Sequence, residues 1–397
     1  MSAVRVMHVI TMLELGGAQQ NTLDTCARLD RERFVVGLAC ADDGELLPEA
    51  RRLGDVRLHE LPSLRREVRP WLDARAVGEL RRAIREFAPE IVHTHSSKAG
   101  ILGRLAAHRE RVPVVVHSIH GWGFGPHQAA PLRAAFLTAE RLASRWTTAF
   151  IAVSRENLEQ GLRLGLFGRE QVSLIRSGID LRAFRQPTGG GRVRAELGIP
   201  DEAPLVVQVS CLKAQKAPER FVALAAALAP RFPEAHFLLV GDGELRGQIE
   251  AQRRAAGLAA RLHLPGWRRD IPAVLDAATV VTLTSRFEGL PRAIVEALAA
   301  GKPVAAMAVD GVLEILQDGV NGFAVPPGDT GGLVDRVAEL LASPGRRAEL
   351  ASHAGEGLDD FDRELMVHQQ EALYGRLLTG AAAGRVAAGA GTRGRTP

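Results

Sequence analysis

Cysteine is scarce in this 397-residue sequence, which contains three: Cys26, Cys40 and Cys211. An odd number of cysteines without metal-binding spacing argues against a disulfide framework and against a zinc site. The sequence also lacks an uninterrupted apolar run near the roughly 18 residues that a membrane-spanning helix needs. Its first apolar stretch, 4–13, is too short for a signal peptide and is soon followed by two glycines. We therefore expect a protein of the reducing cytoplasm that is soluble or lies on a membrane surface.

A strong charge of one sign is missing as well. The formal net charge is +4, and the positive excess lies in residues 1–190. Nucleic-acid binding usually requires a denser basic surface, so we predict no nucleic-acid partner. The basic first half instead favours contact with an anionic bilayer or with a diphosphate-linked acceptor. Few of the 50 basic residues are lysine, which suggests a role for the four that are: Lys98, Lys213, Lys216 and Lys302.

What the sequence does contain is an alternation of short Val- and Ile-rich runs with helical patterns. This alternation predicts parallel α/β sheets, and the continuous apolar runs indicate that both faces of each sheet are covered. A chain of this length with 46% hydrophobic residues has room for two domains with a cleft between them. We predict one Rossmann-like domain over 1–185 and a second over 186–360, because Pro and Gly interrupt the pattern near that boundary. Residues 380–397 lack bulky apolar side chains and are predicted to be disordered.

Two carboxylates, Glu288 and Glu296, flank a Gly-Leu-Pro turn in the segment 285–304. Pro291 suits the first position of a helix, because its ring fixes the helical φ and its missing N–H has no helical partner there anyway. Eight residues at 100° each place the two carboxylates about 80° apart around that helix, so that both face one ligand. On spacing alone, Glu288 as a helix cap and Glu296 as a solvated surface residue is an equally good interpretation.

The turn itself predicts an anion site. The N–H groups of Gly289 and Leu290 are expected to lack helical partners, and the positive end of the helix dipole adds to them. The apolar run before the turn places this site at the carboxyl end of a strand, where α/β sheets bind ligands. A second candidate is the pair Gly16 and Gly17 after the first strand, which lets a phosphate approach the backbone. A plain tight turn explains that pair equally well.

The segment 285–304 resembles the Glu-x7-Glu signature of the retaining glycosyltransferases with the GT-B fold, in particular family four, and the likeness covers most of residues 4–378. The resemblance implies two doubly wound Rossmann-like domains facing a central cleft, the first binding the acceptor and the second the nucleotide sugar. It also implies a C-terminal helix, 361–378, that returns to the first domain. In that family the residue matching Glu288 contacts the transferred sugar, and the residue matching Glu296 holds the ribose hydroxyls.

Two further loops resemble ligand-binding loops of the family. Gly16 and Gly17 match its Gly-Gly loop, which touches the donor diphosphate and shapes the acceptor pocket. Lys216 matches a lysine that grips the diphosphate, whereas Cys211 stands where the family usually has an arginine. One cationic contact is therefore missing. Either Lys213 replaces it, or Lys216 and helix dipoles hold the diphosphate without it.

Histidines follow two other predicted strands. His120 resembles the family's histidine at the rim of the donor site, near the reacting carbon of the sugar. Trp122 behind it either stacks on the acceptor or only anchors the loop. His95 and Lys98, where another strand enters a helix, are predicted to meet the acceptor's phosphate or sugar. The His-x-His pattern at that point does not predict a metal site, because no further ligand is evident.

Together these features and the resemblance predict a metal-independent hexosyltransferase with no cofactor. The resemblance implies retention of the anomeric configuration and catalytic roles for His120 and Glu288. The expected donor is a nucleoside-diphosphate sugar, a UDP-sugar by family habit, and the backbone near Arg268 is expected to contact its base. The expected acceptor is a glycan or a polyprenyl-diphosphate-linked sugar of surface-polysaccharide assembly, reached at the inner face of the cytoplasmic membrane. The base, the sugar, the linkage and the oligomeric state are not predicted by the sequence.

Other classes of function fit the same patterns. A sugar-nucleotide epimerase or a phosphorylase shares the two-domain fold, and it would form product without an acceptor. A nicotinamide-dependent reductase is also an α/β protein, and it would bind the dinucleotide rather than nucleoside diphosphates. A non-catalytic sugar-nucleotide binder is a weaker alternative, because three phosphate-binding motifs converge.

Overall fold

The computed structural model describes residues 3–124, 128–186 and 188–391. The chain divides into two compact units. The first contains Met1–Gly178 together with the C-terminal segment from Arg363, and the second contains Ile179–Asp362. Each unit is built around one parallel sheet. The prediction of two doubly wound α/β units is confirmed.

The first unit contains a seven-stranded parallel sheet. Its strands are β1 (Val4–Val9), β2 (Phe34–Cys40), β3 (Val56–Glu60), β4 (Ile91–His95), β5 (Val114–Ile119), β6 (Ala149–Ala152) and β7 (Val172–Leu174). Its helices are α1 (Gly17–Arg28), α2 (Leu47–Arg52), α3 (Pro70–Phe87), α4 (Ser97–Arg109), α5 (Ala130–Ser144), α6 (Arg155–Arg163) and the C-terminal α15 (Arg363–Gly391). The strand order is β3-β2-β1-β4-β5-β6-β7, so the order reverses between β1 and β4.

The second unit contains a six-stranded parallel sheet. Its strands are β8 (Leu205–Val209), β9 (His236–Val240), β10 (Leu262–Gly266), β11 (Val280–Leu283), β12 (Val304–Met307) and β13 (Gly322–Val325). Its helices are α7 (Leu181–Arg185), α8 (Gly190–Leu197), α9 (Pro218–Leu228), α10 (Arg246–Ala255), α11 (Ile271–Ala277), α12 (Arg292–Ala299), α13 (Thr330–Ala342) and α14 (Pro344–His353). The strand order is β10-β9-β8-β11-β12-β13, so the order reverses between β8 and β11. In open α/β sheets, ligands bind beyond the carboxyl ends of the strands at such a reversal.

The core of the first unit lies on both faces of its sheet, which explains why its strands are apolar without alternation. One face packs against α3 and α4. The other face packs against α1 and α15. In α15, Met366, Leu373 and Tyr374 recur at helical spacing and are buried against this face. The helix is therefore an integral layer of the first unit.

Two predicted boundaries differ from the structure. The second unit begins at Ile179 rather than at residue 186, because α7 packs against α12 of that unit. The helix α15 continues over 380–391, where the sequence predicts disorder, and the disorder of the tail stays a prediction. That stretch is rich in alanine, the residue with the highest helix propensity, so the helix extends without bulky apolar side chains. Residues 392–397 lie outside the described part of the chain.

No helix within the described residues is both long enough and apolar enough to cross a membrane.

Candidate functional site

In the second unit, Lys216 and Glu288 lie on the loops that follow β8 and β11, the two strands at which the sheet order reverses. Lys216 Nζ lies 2.5 Å and 2.7 Å from the two carboxylate oxygens of Glu288. The side chains are 20% and 4% exposed, respectively. Two residues that the sequence singles out separately therefore form one largely buried ion pair, at the place where α/β sheets bind ligands.

Two other polar side chains hold Glu288 in place. Ser285 Oγ donates a hydrogen bond to Glu288 Oε1 at 2.6 Å. The backbone N–H of Glu288 donates to Asp310 Oδ2 at 2.5 Å. Asp310 has a φ of +42°, which is uncommon for a residue other than glycine. A buried carboxylate needs such partners, and here they fix both its side chain and its backbone.

The loop that carries Lys216 is tied to the loop that carries Glu288. Thr284 Oγ1 lies 3.0 Å from the carbonyl oxygen of Lys216 and 3.1 Å from that of Ala217. Gln215 Nε2 donates a hydrogen bond to the carbonyl oxygen of Phe287 at 3.0 Å. These bonds position the ion pair before any ligand binds, which is the condition for electrostatic catalysis without reorganisation.

Cys211, at the position of the family's arginine, starts the tight turn that leads to Lys216. The N–H of Lys213 donates to the carbonyl oxygen of Cys211 at 3.0 Å, and the N–H of Lys216 donates to that of Lys213 at 2.9 Å. The turn directs Lys216 toward Glu288. Compensation for the missing arginine by Lys213 stays a prediction.

The start of α12 differs from the sequence prediction. The helix begins at Arg292, and Pro291, with ψ at 91°, is its N-cap residue rather than its first helical residue. Glu288 therefore lies in the loop before the helix, so the predicted angle of about 80° between Glu288 and Glu296 around the helix axis does not apply. Glu296 lies within α12 and pairs weakly with Arg292 at 3.8 Å. Its contact with ribose, like the anion site at Gly289 and Leu290, stays a prediction.

Arg268, predicted to lie near the base, is held by two carboxylates. Its guanidinium donates to Asp270 at 2.9 Å and 2.7 Å and to Glu196 at 2.8 Å and 3.1 Å. These hydrogen bonds raise the pKa of Arg268 above its ordinary value. The side chain is thus engaged within the unit, and a base contact through the backbone near it stays a prediction.

In the first unit, the two glycines after β1 form the start of α1. Gly17 is the first helical residue, and Gly16 is an extended N-cap residue that offers no side-chain cap. Both glycines are exposed. A Cβ atom on Gly16 would lie 2.6 Å from Gln19 Oε1, so a side chain at this position forces Gln19 to move. The open helix start suits an anion, and its ligand stays a prediction.

Strand pairing in the first sheet brings histidines from separate strands together. His8 of β1 is paired in register with His93 of β4, so both side chains and that of His95 face the same side of the sheet. His8 Nδ1 lies 3.0 Å from His95 Nε2, and His95 Nδ1 lies 3.1 Å from His120 Nε2. His8 and His95 have no exposed surface, whereas His120 is partly exposed. A row of three imidazoles thus leads from the core to the surface of the unit.

His93 belongs to a separate hydrogen-bonded group on the same face. Its Nδ1 lies 2.5 Å from the hydroxyl oxygen of Tyr374 in α15. Its Nε2 lies 2.8 Å from Ser118 Oγ in β5. Both ring nitrogens are therefore engaged, and the contact fastens the C-terminal helix to the sheet.

One ligand atom from each of His8, His93 and His95 lies within 4.8 Å of the others, which is the spacing of a metal site. The sequence offered only the two histidines of β4, because His8 lies on another strand. The nitrogen–nitrogen distance of 3.0 Å between His8 and His95 is that of a hydrogen bond. The structure thus presents a hydrogen-bonded cluster, and the absence of a metal stays a prediction.

The residues predicted to bind the acceptor differ in burial and in the contacts that they make. The His95 side chain has no exposed surface and both ring nitrogens contact other histidines, and its contact with an acceptor stays a prediction. Lys98 Nζ lies 2.5 Å from Asp73 Oδ1 of α3, and the lysine side chain is 14% exposed. Its contact with an acceptor stays a prediction. Trp122 packs against Phe124, with ring centroids 5.4 Å apart, which favours the interpretation of Trp122 as a loop anchor.

Burial sets the protonation of the histidines in the first unit. Burial lowers the pKa of His8 to about 3, and the positive charge of Arg31 adds to the effect. Burial also lowers the pKa of His93 and of His95 well below the ordinary value, and neighbouring histidines contribute. On the other face of the sheet, burial lowers the pKa of His117 in the same way. At neutral pH these imidazoles are uncharged, and each has one N–H and one lone pair.

Sequence reasoning missed several residues of these clusters, among them His8, Ser285 and Asp310. A histidine inside an otherwise apolar strand was the available signal for His8. Ser285 stands three residues before Glu288, within the motif itself. Asp310 lies 22 residues after Glu288, and the chain has no local signal that links them. Only the arrangement of the strands brings Asp310 to the loop.

Two family models together match most of the chain. The model described as Glycosyltransferase Family 4 matches residues 15–183. The model described as Glycosyl transferases group 1 matches residues 191–356. Each model therefore falls largely within one of the two units.

A similar protein of known function comes from Escherichia coli. It is named UDP-Gal:alpha-D-GlcNAc-diphosphoundecaprenol alpha-1,3-galactosyltransferase and is 31% identical over 344 residues, which are 85% of this chain and 88% of the relative.

Two solved structures share the fold. HepE of Anabaena, in complex with UDP and glucose, has a TM-score of 0.81 at 23% identity and covers 94% of this chain and 100% of its own. Sucrose-phosphate synthase of Thermosynechococcus elongatus has a TM-score of 0.79 at 22% identity, and the match covers 95% of this chain and 100% of the synthase chain. At this level of identity the likeness establishes the two-domain architecture.

Proposed function

The chain belongs to the glycosyltransferases of family 4 type, and on that premise we propose that it moves a hexose or an N-acetylhexosamine from a UDP-sugar to a lipid-linked acceptor. The observation that carries the proposal is the preorganised pair of Lys216 and Glu288 at the strand reversal of the second sheet. The name of the Escherichia coli relative states a UDP-galactose donor and a diphosphoundecaprenol acceptor, which supports the choice of ligands. The UDP bound to HepE supports the choice of nucleotide.

The proposed role of Lys216 is to stabilise the leaving diphosphate. An ammonium group has three N–H donors, so two bonds to Glu288 leave one for a phosphate oxygen. The ion pair and the bound donor are therefore compatible. The start of α12, with Gly289, Leu290 and Pro291 before it, adds the positive end of a helix dipole for the same phosphate.

The proposed role of Glu288 is to contact the transferred sugar. Its carboxylate accepts hydrogen bonds from Lys216 and Ser285 and has further lone pairs for a sugar hydroxyl. A fixed negative charge also favours the positive charge that the anomeric carbon develops as the diphosphate leaves. Glu296 is proposed to hold the ribose, and His120 of the first unit to hydrogen-bond the sugar.

We propose that the reaction retains the anomeric configuration. The acceptor oxygen bonds to the anomeric carbon on the face from which the diphosphate leaves, and the acceptor proton passes to the leaving phosphate oxygen. Lys216 and helix N–H groups supply the charge stabilisation that a metal ion supplies in other transferases. An α-linked donor then gives an α-linked product. Chemical trapping of a covalent glycosyl-enzyme would overturn this mechanism.

Nucleotide binding provides the first test. UDP at a hundred times its dissociation constant is expected to stabilise the protein by about 2.7 kcal/mol, with or without EDTA. The expected shift is strongly reduced in Lys216→Ala, because the diphosphate loses its cation. The measurement is thermal unfolding with UDP, GDP, ADP and NADPH.

Arg231→Ala is the matched control, since this cation of the second unit is half-exposed and pairs only weakly with Asp335 at 3.7 Å. Its UDP shift is expected to equal that of the wild type. Stabilisation by NADPH alone points to a reductase and ends the proposal. Turnover of the UDP-sugar to a new sugar nucleotide or sugar phosphate without acceptor points to an epimerase or phosphorylase.

We also propose that the protein works in the cytoplasm as a peripheral protein at the inner face of the cytoplasmic membrane. Val68 and Trp71 are 67% and 71% exposed and stand beside Arg66 and Arg69, a combination that suits an anionic lipid surface. The double variant Val68→Ser, Trp71→Ser is expected to lose at least half of its co-sedimentation with vesicles that contain anionic lipid. Exposed Leu313 of the second unit is the control site, so Leu313→Ser is expected to bind like the wild type. Equal binding of the double variant and the wild type contradicts the proposed surface.

A further inference from the structure

The imidazoles of His8, His95 and His120 form a row that is joined by two hydrogen bonds. The two contacts in the row are 3.0 Å and 3.1 Å long. The rings are nearly parallel, with interplanar angles of 17° and 30°. Neighbouring rings therefore face each other through a nitrogen atom at hydrogen-bond distance.

His95 connects the two hydrogen bonds. It is neutral, so it has one N–H and one lone pair. It must donate to one neighbour and accept from the other, and the two bonds run in the same direction along the row. If His8 donates through Nδ1, then His95 donates through Nδ1 to His120 Nε2. In the opposite direction, all three rings have their proton on Nε2.

The buried end of the row selects between these directions. Among the described residues, His8 Nε2 is buried and has no hydrogen-bond partner. In the second direction this atom is an N–H without an acceptor in the core. Among backbone groups, buried N–H groups without a partner are rarer than carbonyl groups without a donor, and we apply the same preference to the imidazole ring. The first direction, with the proton of each ring on Nδ1, avoids such a group.

We infer that His8 and His95 are positioning residues that fix His120 as the Nδ1–H tautomer. His120 Nε2 accepts from His95, and the ring proton therefore lies on Nδ1. The expected effect on turnover rests on the proposed function, in which His120 hydrogen-bonds the sugar. The tautomer itself does not.

His93 supports the row without belonging to it. Its ring centroid lies 4.2 Å from that of His95, and both of its nitrogens are held by Tyr374 and Ser118. His95 is therefore packed against a ring that cannot rotate. The orientation of His95 is fixed by this packing, and its tautomer is fixed by His8.

Long-range 1H–15N correlation spectra of 15N-histidine-labelled protein test the tautomer directly, with signals assigned from single histidine variants. We expect the ring signals of His8, His95 and His120 to show protonated Nδ1 and unprotonated Nε2. Any ring with its proton on Nε2, or nitrogen shifts typical of a bound metal ion, overturns the inference. This measurement needs no substrate.

Two variants of His8 separate positioning from packing. His8→Asn keeps an N–H donor near the place of Nδ1, whereas His8→Phe keeps the ring and removes the donor. His8→Phe is expected to change the tautomer signals of His120 and to lower kcat by at least about tenfold, because a functional histidine held in the wrong tautomer loses activity. His8→Asn is expected to keep the tautomer signals of His120 close to those of the wild type and to keep most of kcat. Equal losses in the two variants indicate packing alone and overturn the inference.

UDP stabilisation distinguishes a failure of this inference from a failure of the proposed function. It is expected to be unchanged in both His8 variants, because Lys216 and Glu288 belong to the other unit. If the wild-type protein shows the Nδ1–H tautomer but does not bind UDP, the inference about the histidine row stands. Only the proposed donor is then contradicted.

Discussion

Glu288→Gln is expected to lower kcat for sugar transfer by about a hundredfold to a thousandfold, the range seen when one well-placed electrostatic group is removed. The substitution keeps the shape of the side chain but removes the charge that faces Lys216 at 2.5 Å and 2.7 Å. It therefore removes the stabilisation of the developing positive charge on the sugar. The measurement is the initial rate of UDP release with a diphosphate-linked sugar acceptor at saturating donor.

Glu296→Gln is the matched control, because it makes the same chemical change within α12, eight residues later. Its proposed contact is with the ribose, which does not change during the reaction. We expect a higher donor KM with kcat within about threefold of the wild type, the pattern of lost uniform binding. A kcat for Glu288→Gln within threefold of the wild type, or an equal loss of kcat in both variants, contradicts the assigned roles.

Acidification from pH 7.5 to pH 5.5 is expected to destabilise the first unit by roughly 5.5 kcal/mol through four buried histidines, at about 1.4 kcal/mol each. Burial lowers the pKa of His8, His93, His95 and His117 in the folded protein. Their unfolded pKa is near 6.5. Below that pH the unfolded chain binds protons that the folded chain does not, so stability is full above pH 6.5 and falls as the pH falls.

Urea unfolding of Trp267→Phe measures this effect in the first unit, because the remaining tryptophans, Trp71, Trp122 and Trp146, all belong to it. A further His117→Phe substitution is expected to reduce the slope of the unfolding free energy against pH by about one proton. His368→Gln, at an exposed histidine of α15, is the control and is expected to leave the slope nearly unchanged. A free energy of unfolding that is constant between pH 7.5 and pH 5.5 contradicts buried neutral histidines.

The elements of the fold were largely predictable because their signals are local. Apolar runs of four to seven residues that alternate with helical patterns suffice to predict parallel strands covered on both faces. The ends of elements were less predictable. Pro291 is an N-cap residue rather than the first residue of α12, and α15 continues beyond residue 380. Both depend on small differences in backbone free energy that neighbouring residues decide.

The candidate site was predictable only in part. Lys216 and Glu288 were singled out one at a time, from motifs at the ends of separate strands. Nothing in the sequence predicted that they form an ion pair, since they are 72 residues apart. His95 was assigned to the acceptor because the strand pattern does not reveal that both of its nitrogens meet other histidines.

The sequence by itself determined the two α/β units, the loops that follow β1, β8 and β11, and the family, because these depend on the order of residues along the chain. The tertiary structure decided which side chains meet. His8 and His95 are 87 residues apart and become neighbours because β1 and β4 are adjacent in the first sheet. Lys216 and Glu288 meet because β8 and β11 are adjacent in the second. Parallel strands are joined by crossovers, so the side chains at their carboxyl ends come together only when the whole sheet has formed.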